Sequence, residues 1–392
     1  MNAYIIAGYR SAVGKAGKGG FRFTRPDDLG ASVIRHLLGK VPELDPSRVD
    51  DVIVGNAVPE AEQGMQMGRF VALLALPQHV SGITINRYCG SGVEAIAMAA
   101  AKIHAGMAEC IIAGGTESMS MVPTMGWKTA LNYDIATHHP DYYLSMGLTA
   151  EQVAKDYGIS RDDQDEFSYQ SHQKALRAQQ QGLFDAQIVP VTIQETYFDA
   201  ASGKKKTKEV VVAQDEGPRA DTSLEALARL KPVFAAGGSV TAGNSSQTSD
   251  GAAFVIVMSE KLMNELHLNP VARMLSYATA GVDPRVMGIG PVQAVPLALR
   301  QAGLQLNDIE QIELNEAFAA QSLAVIRQLG IDPEIVNPNG GAIALGHALG
   351  STGARLSVQL FDEMRRRNQK YGMVTACVGG GQGVAGIYER LN

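Results

Sequence analysis

Apolar and polar positions along the chain change period repeatedly. "AYIIAGY" from residue 3, "DVIVGNAV" from 51, "ECIIAGG" from 109, "AAFVIVM" from 252, "IEQIELNEA" from 309 and "MVTACVGG" from 373 are short runs, mostly apolar and without strict alternation. That pattern predicts strands buried on both faces. Between them, "DLGASVIRHLLGK" from 28 and "VQAVPLALRQAG" from 292 repeat apolar residues at helical spacing. Strand and helix in alternation predict a layered α/β fold.

The stretch from 118 to 239 departs from this rhythm, being polar and rich in Gln, Asp, Tyr and His. Inside it, "IVPVTIQETYFDAASGKKKTKEVVVAQDEG" predicts a hairpin with "ASGK" at its tip. "SGKKKTK" reads most simply as a solvated turn. The partition that follows is 1–117 with 240–268 as a first α/β half, 118–239 as an inserted loop domain, and 269–392 as a second half. A weak internal repeat supports the two halves. "DDVIVGNAVPEA" resembles "DIEQIELNEAFAA", Asn56 and Asn315 lie 259 positions apart, and Cys89 and His347 lie 258 apart. Two copies of one unit, facing each other, would put Cys89 and His347 at equivalent places.

A chain of 392 residues is too long for one ordinary core. Its 34 basic against 40 acidic side chains leave a net charge of −6, without the general electrostatic footprint of a nucleic-acid binder. No apolar run reaches the roughly 18–20 residues of a membrane span. Three cysteines make no disulfide framework. The N-terminus is strand-like rather than a leader, and "YERLN" is not a peroxisomal address. A cytoplasmic location is expected.

The chemistry-bearing residues cluster at element ends. In "NRYCGSGVEAIAMAA", Ser91 and Glu94 have capping-box spacing, so a helix should start just after Cys89, its positive end favouring a thiolate. The bland alternative is a buried structural thiol. Cys377 closes a strand before "VGGGQG", whose N–H groups are free to face an oxyanion or merely permit a sharp turn. Cys110 reads as core. His347 lies in "NPNGGAIALGHALGSTGARL", an unusually permissive backbone for a core histidine. The other histidines show no metal spacing. Asn315 begins "NEAFAAQ" at a strand end, where it could cap the next helix or hold a water or carbonyl. Strand ends and helix starts are where open α/β sheets form sites.

"NRYCGSG", "NEAFAAQ", "NPNGGAIALGHALGSTGAR" and "CVGGGQG" together resemble the signature blocks of the thiolases, acyl-CoA C-acyltransferases, and the likeness runs in register from residue 3 to about 390. The resemblance implies a five-layered αβαβα core of two similar halves, an inserted loop domain, and a homodimer or homotetramer. It implies 3-ketoacyl-CoA cleavage with CoA in fatty-acid metabolism of the β-oxidation kind, with acetoacetyl-CoA-specific acetyltransfer as the alternative. Coenzyme A would be a substrate, with no tightly bound cofactor and no metal. By resemblance Cys89 is the nucleophile, His347 activates it and shares an oxyanion site with a water on Asn315, and Cys377 is a second acid/base. The N–H groups of Cys89 and Gly379 form the other oxyanion site. Ser246 and Arg219 would contact CoA, and Phe318 and Met146 would wall the pocket. Two positions depart from the family's usual pattern. Ala348 follows His347 where proline is usual, and Ser145 stands where acetoacetyl-specific members usually have histidine. The second departure leans toward longer substrates.

Overall fold

The computed structural model describes residues 2–200 and 202–391. The six apolar runs form strands β1 (Ala3–Ser11), β2 (Asp51–Gly55), β4 (Cys110–Ser118), β7 (Ser249–Ser259), β9 (Gln311–Leu314) and β10 (Tyr371–Val378). The hairpin is β5 (Val191–Asp199) and β6 (Lys204–Val212); Ala201, in its expected tip, lies outside the described residues. Three further strands, β3 (Ser81–Ile85), β8 (Ala272–Gly281) and β11 (Gln382–Arg390), extend the sheet, and the two-residue strands Gly14–Lys15 and Ile188–Val189 pair with β7 and β1. The numbered strands other than the hairpin run in the order β9-β10-β11-β8-β1-β7-β4-β2-β3, and β8 meets β1 through the single pair Ile5–Ala272. That narrow joint divides two similar arrangements. In each, a parallel pair (β2 with β4, β9 with β10) leads into an antiparallel partner (β7, β11).

Helices fill the spaces between and outside these sheets. Helix α1 (Pro26–Gly39) and α2 (Met67–Ala75) cover the outer face of the first half, where Leu29, Ile34 and Val71 pack on Val52, Ile112 and Phe254. Two long helices, α3 (Ser91–His104) and α8 (Leu349–Arg367), lie between the sheets, burying Ile96, Ile103, Leu356 and Leu360 against Ile111, Val255, Val374 and Val384. Helix α6 (Gly290–Ala302) and α7 (Ala319–Leu329) cover the far face through Val295, Ala298 and Val325 on Ile312 and Met373. The order is helix, sheet, helix, sheet, helix. Each fully buried Leu or Ile in these layers contributes about 1.5–3 kcal/mol. Between β4 and β7 the chain forms α4 (Met146–Asp156), α5 (Arg161–Gln180) and the hairpin, and it rejoins the first-half core through Ala175, Phe184 and the pair Ile188–Val189, which bonds to β1.

The two central helices touch backbone to backbone. A Cβ on Gly92 would lie 2.5 Å from the Ala354 nitrogen, and one on Gly353 would lie 2.4 Å from the Val93 nitrogen. Those contacts are reciprocal, and they fix how the halves correspond. Val93 matches Ala354, Ala99 matches Leu360 and Ile103 matches Met364, a spacing of 261. The repeat is therefore real, but its expected pairing is displaced. Cys89, directly before α3, corresponds to Gly350 of α8 and not to His347, which lies in the turn before α8. On the strands, Val54 matches Leu314, so Asn315 corresponds to Gly55 rather than Asn56. Matching glycine-rich turns by sequence missed the shift, because the helices, and not the turns that lead into them, set the correspondence.

Candidate active site

Cys89 lies in a single 3-10 turn, Tyr88–Gly90, directly before α3. Tyr88 takes φ +42°, a left-handed conformation that turns the chain sharply. Ser91 and Glu94 do not form the expected capping box. Helix α3 has no side-chain cap. The Ser91 hydroxyl instead accepts from the Arg87 N–H (2.8 Å) and donates to the Tyr88 carbonyl (2.7 Å), which braces the cysteine turn. Glu94 is taken by Arg87 and by the hydroxyl of Tyr277, which is remote in sequence, and both outcompete a local cap.

Helix α7 starts at Ala319 with Phe318 at its N-cap, so Asn315 caps nothing. It extends β9, its N–H donating to the Thr375 carbonyl at 2.9 Å. Its amide Nδ2 lies 3.3 Å from His347 Nε2, and its Oδ1 is buried without a protein partner. His347 is held by its backbone, which donates to the Gln247 carbonyl and the Ser249 hydroxyl. The preceding Gly346 takes φ +103°, and a Cβ there would strike Ser249 Oγ at 2.3 Å. The ring's other nitrogen, Nδ1, lies 2.7 Å from the Thr352 hydroxyl, which itself donates to the Ala348 carbonyl at 2.9 Å. With its proton spent there, the hydroxyl accepts from Nδ1–H. That places the imidazole lone pair on Nε2, facing Asn315.

Electrostatics follow from burial. Cys89, Cys377, His347 and Asn315 are all buried. Burial pushes the Cys89 thiol up to about 12 and holds His347 down to about 3. Burial thus favours the neutral thiol and the neutral imidazole, against the pull of the helix end on a thiolate. The N–H groups of Gly379 and of Cys89 itself work against that rise by pointing at the sulfur. Burial also raises Cys377, and so does the proximity of Cys89. Cys377 packs with Phe318, Met287 and the half-buried Met146, and Cys89 with Leu349, Met119 and Met121. A Cβ on Gly379 would reach Tyr88 and Met146. These contacts join Cys89, Cys377, Gly379, Phe318 and Met146, while His347, two residues before Leu349, pairs with Asn315, whose N–H lies on Thr375, two residues before Cys377.

Sequence comparison fits this constellation. The family profile described as "Thiolase, N-terminal domain" matches residues 3–261, and "Thiolase, C-terminal domain" matches 268–390. The chain belongs to the thiolase family. It is 53% identical over 388 residues, covering 99% of both chains, to a protein of Bacillus subtilis (strain 168) named 3-ketoacyl-CoA thiolase. It is 44% identical over 409 residues, covering 100% of both chains, to an acetyl-CoA acetyltransferase of Escherichia coli (strain K12). Among solved structures, a Bacillus anthracis acetyl-CoA acetyltransferase matches with a TM-score of 0.89 at 41% identity, over 100% of this chain and 99% of that one. The thiolase relationship makes the chain an acyltransferase and accounts for the paired halves and the layered core.

Of the remaining expected thiolase residues, Ser246 adjoins the cluster and Arg219 does not. Ser246 donates its N–H to the Ala317 carbonyl, next to Phe318. Arg219 is exposed, its guanidinium on Asp221, and its N–H donates to His172 Nδ1. Nothing ties Arg219 directly to the two thiols. Its loop is anchored through Gln247, whose amide donates to the carbonyls of Gly217, Ile343 and Ala344, joining the Arg219 loop to the approach of His347. Gln247 and Thr352 escaped the sequence reading. Thr352 was findable, because one turn of helix after His347 returns its hydroxyl to the ring. Among the described residues no group of His, Cys, Asp or Glu is arranged to hold a metal, and no helix is long and apolar enough to cross a membrane.

Proposed function

We propose that this thiolase cleaves 3-ketoacyl-CoA with CoA, giving acetyl-CoA and a shortened acyl-CoA through an acyl-enzyme on Cys89. The observation that carries the chemistry is a buried site in which Cys89 Sγ faces two N–H donors with Cys377 close by, while His347, its Nε2 on the Asn315 amide, stands two residues before Leu349, which packs on Cys89. His347 accepts the Cys89 proton as the thiolate attacks C3 of the substrate. The alkoxide collapses, the C2–C3 bond breaks, and the acetyl-CoA enolate leaves, its oxyanion resting on His347 and a water held by Asn315. Cys377 protonates the enolate, then takes the proton of the incoming CoA thiol. That CoA thiolate attacks the acyl-thioester, whose oxyanion is held by the N–H groups of Cys89 and Gly379. Cys89 leaves and recovers its proton from His347.

Ser246, Arg219, Phe318 and Met146 are the residues proposed to hold CoA and the acyl chain. The 3-ketoacyl substrate class rests on the Bacillus subtilis relative's name and on Ser145, exposed beside Met146. Exposed Phe70, Leu73, Leu74 and Ile83 on neighbouring α2 and β3 support a homo-oligomer. The test is thiolysis with purified protein, comparing kcat/KM for acetoacetyl-CoA with six- to ten-carbon 3-ketoacyl-CoAs. Activity on the longer substrates is expected; activity confined to four carbons assigns the acetyltransferase reading instead.

A further inference from the structure

Glu117, the penultimate residue of β4, is a carboxylate buried between the first half and the start of α8. Its Oε2 accepts from the Ala57 N–H at 2.7 Å and the Gly350 N–H at 2.8 Å. Its Oε1 accepts from the amides of Asn56 at 3.0 Å and Gln63 at 2.8 Å. Four donors and no acceptor face it, an arrangement that suits only the ionised form. The bonds join segments remote in sequence: the loop after β2, Gln63 beyond it, and the first turn of α8.

Each end of this clamp abuts the cluster. Leu349, beside Gly350, and Ala57 both pack with Cys89, and His347 lies three residues before Gly350. The internal symmetry adds a second argument. Gly350 is the counterpart of Cys89, so Glu117 fills at the α8 N-terminus the kind of place that the α3 N-terminus leaves at the Cys89 sulfur. A helix end takes an anion readily, through its free N–H groups and its dipole. At α8 that carboxylate is internal, its burial working to raise its pKa and its hydrogen-bond donors working against that rise.

We propose that Glu117 is a positioning residue that clamps the start of α8 to the first half and thereby sets His347 against Cys89. The proposal rests on the reading of Cys89 and His347 given above. Glu117→Gln turns an amide toward two N–H donors and loosens the clamp. A displacement of about 1 Å in such a pair costs ~10²-fold. We expect kcat for thiolysis to fall by about that factor while KM for CoA changes little, with Glu117→Asp, which keeps the charge, recovering part of the loss. Alkylation of Cys89 by iodoacetamide at pH 7 should slow toward the rate of a His347→Ala variant. This readout needs no substrate, so it separates failure of the clamp from failure of the thiolysis assignment. If Glu117→Gln does not fold, Asn56→Ala, which removes one donor, should slow the same alkylation more mildly. A folded Glu117→Gln protein with wild-type kcat and alkylation rate overturns the proposal, as does a folded Asn56→Ala protein with unchanged alkylation when Glu117→Gln is lost.

Discussion

The N-termini of α3 and α8 are the same place in two copies of one unit, yet they do different work. At α8, the Gly350 N–H is satisfied by the Glu117 carboxylate. At α3, the counterpart position is Cys89, whose own N–H and that of Gly379 are turned to a sulfur. The strand ends show the same division. Thr116 of the first half gives its hydroxyl to the Pro26 carbonyl; its counterpart in the second half is Cys377, a thiol without such a bond among the hydrogen bonds seen here. Gly55 lies flat against Ser91 of α3 and Gly350 of α8, and its counterpart is Asn315, with one amide oxygen left over. One helix end is closed by bonding while the other is left for chemistry.

The largest effect that sharpens this contrast is at Cys377. Cys377→Ala removes general acid/base catalysis, a loss typically of ~10²- to 10⁴-fold in thiolysis rate, whereas Thr116→Ser on the bonded side should leave the rate within a few-fold. Near-wild-type turnover by Cys377→Ala would reduce that thiol to packing. The fold should survive, since one small buried group is lost.

Next comes the seam on which the correspondence of halves rests. Gly353→Ala drives a methyl into the Val93 backbone and should destabilise by ~1–3 kcal/mol in denaturant melts, and Gly92→Ala by a similar amount. If only one of the two matters, the helices do not meet symmetrically.

Burial of neutral imidazoles sets a pH dependence. His347 is held down to about 3 and His172 to about 4, both chiefly by burial. Above an unfolded histidine value of ~6.5 neither ring is protonated in either state, and their contribution is fully present. As pH falls below that value the unfolded chain binds protons that the folded chain refuses, so stability drops toward pH 4. Thermal melts from pH 8 to 4.5 should show the decline, and His172→Gln should flatten it. A slope unchanged in that variant would mean His172 is not buried neutral.

How much of this was legible in the sequence depended on the range of the interaction. Long apolar runs gave the core strands, because a strand covered on both faces needs nothing polar. The short edge strand around "GITI", and β11, hidden among glycines, lacked that mark. Cys89, Cys377 and His347 were visible because glycines crowd them. The Ser91–Glu94 cap failed because Arg87 and Tyr277 compete for Glu94, and Tyr277 is remote in the chain. Glu117 left no trace: a lone carboxylate acquires meaning only when Ala57, Gln63 and Gly350 are folded around it.

The smallest expected effect concerns Ala348, where the family usually has proline. Its φ of −77° already suits a proline ring. Ala348→Pro should stabilise by about 0.4–1 kcal/mol through the unfolded chain, with kcat nearly unchanged. Destabilisation would show that the turn before α8 needs its present freedom.

The central claim is that the open helix end, the one at Cys89, carries the acyl group. Brief exposure to an acyl-CoA, acid quench and peptide mass spectrometry test it directly. The account predicts the acyl mass on the peptide containing "NRYCGSG", absent in Cys89→Ala. An adduct on Cys377 or Cys110 instead would contradict it.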